Sequence, residues 1–125
     1  MKTKVVKIYE QGSVDALKLE EIDIKEPSAN EVLIEHSYAG LNFIDINQRN
    51  GTYSLKNLPT IMGMEASGQI KKLGSNVTKF KIGDKVTHCM NLGSFSQMMN
   101  LNENKLIKLK NEVDLKIAAA TNLQR

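Results

Sequence analysis

The chain has one cysteine among its 125 residues. Cys89 therefore lacks an intrachain disulfide partner, and without a CxxC pair there is no zinc-ribbon spacing. It reads as a small, buried or half-buried hydrophobe. Long apolar runs are missing as well: no segment approaches the roughly 18 consecutive apolar residues of a membrane span. The opening MKTKVVKIYE alternates like a strand and lacks the apolar stretch of a secretory signal. The expectation is a cytoplasmic protein with no membrane partner. Aromatic residues are scarce at 5%, and the lysines behind the net charge of +3 are scattered along the chain. Nucleic-acid binding needs a clustered basic face with stacking rings, so no nucleic-acid partner is expected.

Catalytic signatures are nearly as sparse. The sequence contains no GxGxxG, no GxxxxGK[ST] and no HExxH, and its two histidines, His36 and His88, have no second ligand at metal spacing. Ser67 sits in ASGQ, outside a GxSxG elbow, with no local base to activate it, which argues against nucleophilic catalysis.

What is present is a soluble globular composition, 41% hydrophobic and 25% charged. A chain of this length fits one domain and can bury roughly two-thirds of its unfolded surface. Lys4–Tyr9, Leu17–Ile24 and Val32–Ser37 alternate apolar and polar residues as half-buried strands do, and EPSANE marks a turn between the second and third. SGQIKKL, DKVTHCM, SFSQMMNL and NKLIKL continue the pattern, with turns at Gly74-Ser75-Asn76 and Gly83-Asp84. Many short strands at this spacing predict a mainly β barrel or sandwich.

Two helices interrupt it. Asn42 can cap a helix over Phe43–Asn50 that stops at Gly51, with Asp45 and Arg49 four apart as an exposed ion-pair brace. Near the end, Asp114 can cap a second helix starting near Leu115 and running into three alanines.

The stretch GMEASGQI, residues 63–70, sets a carboxylate between two glycines. Glu65 reads as a buried acceptor for backbone N–H groups in a turn closed by Gly63 and Gly68, or as a polar organiser of a cleft. Met64 beside it offers a thioether, a soft and weak ligand unsuited to a catalytic zinc.

Taken in order, AGxNxxD at residues 39–45, G-x-E-x-x-G at 63–68 and GDxV at 83–86 resemble the N-terminal, GroES-like domain of the medium-chain dehydrogenase/reductases, and within them the zinc-free quinone oxidoreductases. The resemblance spans essentially the whole chain. It implies a partly open β-barrel over residues 1–110, followed at 111–125 by the start of a helix that leads, in such proteins, to a Rossmann domain for which these 125 residues have no counterpart. In zinc-containing members a cysteine stands where this chain has Asn42 and a histidine where it has Met64, so no metal is expected. The resemblance further implies that Asn42 and Tyr53 line the nicotinamide end of an NADPH cleft, with Phe43 and Asn47 as further cofactor-binding positions, although the chain departs from the bacterial members at Asn47, where they usually carry tyrosine. Asp45, Gly63, Met64, Glu65 and Gly68 fall beside that cleft or serve the fold, and no residue is singled out as catalytic.

The function implied is reduction of a quinone or enone by NADPH in a complete enzyme. The chain alone is expected to be inactive and to bind NADPH weakly, with a Rossmann-domain partner or a second copy as possible company. The alternative is a non-catalytic GroES-like interaction or dimerisation module. A co-chaperonin role does not follow from a shared fold.

Overall fold

A computed structural model describes residues 1–55, 57–110 and 114–115. Eight strands and one α-helix are ordered along the described chain as β1 (Lys2–Ile8), β2 (Lys18–Asp23), β3 (Glu31–Ala39), α1 (Phe43–Asn50), β4 (Thr60–Ile61), β5 (Glu65–Leu73), β6 (Lys85–Cys89), β7 (Met98–Asn102) and β8 (Ile107–Lys108). They form a three-stranded sheet, β2-β1-β4, and a five-stranded sheet, β7-β3-β5-β6-β8, in which every pairing is antiparallel.

The sheets meet along one seam. Residues 95–98 run beside β1, where Val6 N–H donates to the Phe95 carbonyl (2.8 Å), Gln97 N–H to the Lys4 carbonyl (2.9 Å) and Met98 N–H to Thr3 Oγ1 (2.9 Å). Among the described residues the sheets do not close further into a barrel.

The larger sheet holds the core: Val32, Ile34, Ile70, Phe80, Val86 and Leu101 pack together, with Leu73, Val77, Met99 and Leu106 against them. Each such side chain contributes about 1.5–3 kcal/mol on burial. β3 departs from simple alternation, because Val32, Leu33 and Ile34 are all buried. Its register against β5 shifts between Leu33 and Ile34 and again between His36 and Tyr38. Such bulges re-aim side chains and tighten the local twist.

The helix over Phe43–Asn50 forms as its sequence predicts, with Asn42 in an extended N-cap conformation and Gly51 in the left-handed region at φ 92°. The Gly74-Ser75-Asn76 turn is held by Asn76 N–H to the Ala29 carbonyl (2.8 Å), and the Gly83-Asp84 turn by Asp84 N–H to the Lys81 carbonyl (3.1 Å). Three expectations change. SFSQMMNL is a strand only from Met98, because residues 94–97 bond to the other sheet and to a loop. NKLIKL begins as a 3-10 turn over Glu103–Lys105, leaving β8 two residues long. Glu65 is already in β5, so GMEASG is the entry to a strand and no turn runs from Gly63 to Gly68. The expected C-terminal helix and the segment 111–125 lie outside the described residues, Asp114 and Leu115 aside.

Candidate functional site

The N-terminus of α1 and the start of β5 are fastened together by side chains. Asp45 reaches back to accept the Asn42 N–H at Oδ2 (2.8 Å), as an acidic residue in the first turn of a helix can. That fixes the Asn42 backbone, and its side-chain amide donates to Glu65 Oε2 (3.0 Å). Glu65 is fully buried, its N–H donates to Ser94 Oγ (3.2 Å) and its carbonyl accepts the Gly40 N–H (2.9 Å). The donor seen at its carboxylate is thus the Asn42 side chain, where the sequence reading expected the main chain. A charged acceptor makes this hydrogen bond stronger than a neutral pair, about 1.5–3 kcal/mol.

A brace formed by residues 93–95 holds the other side. Gly93 and Ser94 N–H groups both donate to the Gly63 carbonyl (3.0 and 3.2 Å), and Phe95 N–H donates to the Met62 carbonyl (2.9 Å). Gly63 has φ 98°, and a Cβ there would lie 2.6 Å from the Phe95 nitrogen, so the close approach admits only glycine. Gly68 serves a different contact: a Cβ on it would press on the Glu35 carbonyl of β3. Met64 is buried, and its carbonyl accepts the Met90 N–H (2.7 Å).

Asp45 is not the exposed brace its spacing suggested. Only 3% of it is exposed, Arg49 instead donates from Nη1 to the Gly12 carbonyl (2.9 Å), and no Asp45–Arg49 ion pair exists among the described residues. Burial raises the Asp45 carboxyl above its ordinary range, opposed by the Asn42 N–H and reinforced by the Glu65 charge.

Exposed rings stand near the two ends of α1. Phe43 is 83% exposed and Tyr53 53%. The Tyr53 backbone is nevertheless held, by its own N–H to the Asn47 carbonyl (3.0 Å) and by Gln11, whose Nε2 donates both to the Tyr53 carbonyl and to the Gln48 carbonyl (2.7 Å each). Sequence reasoning missed Gln11, since nothing local links it to a residue forty-two positions away. It also missed the contact between His36 and His88, whose Nε2 atoms lie 3.0 Å apart. As a zinc site the clasp does not fit: the Asn42 amide nitrogen is spent as a donor, Met64 is a weak ligand, and no cluster of three His, Cys, Asp or Glu occurs among the described residues.

Residues 28–111 match the family model of the alcohol dehydrogenase GroES-like domain. The chain belongs to that family. As a GroES-like domain it is 35% identical over 122 residues to a quinone oxidoreductase of Pseudomonas aeruginosa, covering 97% of this chain and 38% of the relative. It is 34% identical over 125 residues to a probable quinone oxidoreductase of Schizosaccharomyces pombe, covering 99% of this chain and 38% of the relative. The crystal structure of Escherichia coli quinone oxidoreductase complexed with NADPH superposes with a TM-score of 0.92 at 32% identity, over 97% of this chain and 37% of that one. The GroES-like domain thus spans well under half the length of the relatives it matches.

Proposed function

We propose that this chain is the N-terminal catalytic-domain portion of an NADPH-dependent quinone oxidoreductase, which passes reducing equivalents to a quinone or activated carbonyl. The observation that carries this reading is the Asn42–Glu65 clasp, with Phe43 at the start of α1 and Tyr53 just past its end both exposed, in a GroES-like domain whose relatives include quinone oxidoreductases. NADPH supplies the hydride when bound to the complete enzyme. In this chain, Asp45 and Glu65 hold Asn42 in one orientation at the cleft, Gln11 holds the Tyr53 backbone, and the rings of Phe43 and Tyr53 present flat surface to the nicotinamide end.

Residues 1–110 act as the GroES-like unit in this reading, and 111–125 begin the connection to a nucleotide-binding domain. A pyrophosphate needs a glycine turn at a helix N-terminus, which the sequence lacks, so the second domain contributes most of the affinity. Calorimetric titration should give the 125-residue chain a dissociation constant for NADPH of roughly 1 mM or weaker. Quinone reduction should be undetectable. Supplying a matching Rossmann-type chain should restore both, and Asn42→Ala or Tyr53→Ala should then impair them. Micromolar NADPH binding by the chain alone would overturn the reading.

The second reading is a non-catalytic docking module. The exposed Leu41, Phe43, Ile46 and Tyr53 side chains favour it, and a genome neighbourhood lacking a Rossmann-type partner would support it over the enzyme.

A further inference from the structure

We propose that His36 and His88 form a proton-operated latch on the 93–97 segment, whose opening loosens the support of Gly63 and Glu65. This goes beyond the reductase reading and does not depend on it.

The pair exists because of what lies between the two rings. β3 and β6 are not neighbours; β5 separates them, with His36 opposite Gly68 and His88 opposite Ala66. Residues two apart on a strand share a face, so all four point the same way. With no side chain at Gly68 and a single methyl at Ala66, the imidazoles meet above β5, at a centroid distance of 5.2 Å and 38° between planes.

The hydrogen positions follow from the partners. His36 Nδ1 lies 2.8 Å from the Ser96 carbonyl, which can only accept, so that nitrogen carries the hydrogen. In the neutral ring His36 Nε2 is then the acceptor, and the 3.0 Å contact requires His88 Nε2–H as donor. His88 Nδ1 is left bare, buried and without a partner.

One more proton has no good place to go. On His36 Nε2 it would face the His88 Nε2–H. If His88 instead shifts its own hydrogen to Nδ1, the Nε2 contact survives, but a buried N–H is left without an acceptor. Carboxylates do not offset the charge: Glu35 on β3 and Glu65 on β5 alternate onto the opposite face, and Glu35 pairs with Lys71 at 3.7 Å. Glu31, at the start of β3 five residues before His36, accepts the Ser28 N–H (3.0 Å), and the remaining charged side chains of these strands are cations: Lys2, Lys4 and Lys7 of β1, Lys71 and Lys72 of β5 and Lys85 of β6, while residues 93–97 and β7 carry no charge. Burial accordingly lowers the pKa of His36, against the Ser96 carbonyl, which raises it. Burial, then the charge of His36, pushes His88 down to about 3.

The pair is tied to the candidate site through one stretch of backbone. His36 holds it twice, by Nδ1 to the Ser96 carbonyl and by N–H to the Gln97 carbonyl (2.8 Å). The same stretch supplies Ser94 and Phe95, which receive Glu65 N–H and brace Met62 and Gly63. An opened form returns both rings to the ordinary value near 6.5, so it binds more protons than the closed form. The closed form is fully favoured above that value and loses ground as pH falls toward about 3. Each proton taken up multiplies the opening constant about tenfold per pH unit.

Native-state hydrogen exchange on the 125-residue chain, followed by NMR between about pH 7.5 and 4.5 across the ordinary histidine range and corrected for intrinsic rates, tests this. The Glu65, Phe95 and Gln97 amides should open at least about tenfold more per pH unit below 6.5. The Gly74 and Asn76 amides, remote from the pair, should show a smaller slope. Nitrogen shifts of the rings at pH 7.5 should show His36 protonated at Nδ1 and His88 at Nε2. Equal slopes at the two sets of amides, the reverse tautomers, or both rings titrating near 6.5 would each overturn the proposal.

Discussion

Glu65 and Asn42 illustrate how one buried charge organises its surroundings. The carboxylate has no exposure, so every hydrogen bond it keeps in the fold replaces one it had in water, and removing it takes from the Asn42 amide the acceptor that it holds at 3.0 Å. Glu65→Ala should destabilise the chain by about 1–3 kcal/mol in urea unfolding. Because Asn42 then loses its acceptor, Asn42→Ala on top of Glu65→Ala should cost less than it does alone, with a coupling of about 1–2 kcal/mol. Strictly additive losses would show that the 3.0 Å contact contributes nothing. Asp45 is the converse case. Its position four before Arg49 looked like a surface brace, and only the tertiary fold reveals that it faces inward while Arg49 turns to Gly12.

At the level of elements, the brace of 93–95 against the Gly63 loop is where space is tightest. Gly63→Ala would combine left-handed strain with a methyl group 2.6 Å from the Phe95 nitrogen, and should lower stability by roughly 2–5 kcal/mol in chemical denaturation. A midpoint equal to the parent's would mean the brace yields freely. This is also where the sequence was hardest to read. α1 was legible to the residue, because Asn42 and Gly51 bracket it with local chemistry. In the larger sheet β3, β5 and β6 were legible as extended runs between turns, although their buried residues come in unbroken stretches such as Val32–Ile34 and Glu65–Gly68 that simple alternation does not describe. Residues 94–97 looked like part of a strand because their composition suits one, yet they divide their bonds between β1, the Gly63 loop and His36. β4 left no signal, since two residues have no periodicity. The His36–His88 contact spans three strands, and no spacing along the chain encodes it.

For the whole molecule, the relevant surface lies around α1, where Leu41 is 73% exposed, Phe43 83%, Tyr53 53% and Ile46 39%. Exposed apolar groups are costly to leave in water, and where they are contiguous they invite contact with another surface. Sedimentation at high concentration should show self-association that Phe43→Ser weakens, while the unfolding free energy stays within about 0.5 kcal/mol of the parent because the ring is outside the core. A parent that remains monomeric throughout would show the patch to be adequately solvated.

The seam has a consequence for how the molecule is made. Met98 and Thr3, joined by a hydrogen bond, are 95 positions apart, and Ser94 stands 29 positions beyond the Glu65 it receives. A ribosome delivers Asn42, Asp45 and Glu65 well before it delivers Ser94 and Phe95, so a nascent chain ending short of them cannot close the Gly63 loop, however long it waits. Contacts of such separation carry the loop-closure entropy that slows folding. The candidate site is therefore synthesised early and completed late. During translation its carboxylates stay in water, and the residues that will later bury them are still being added.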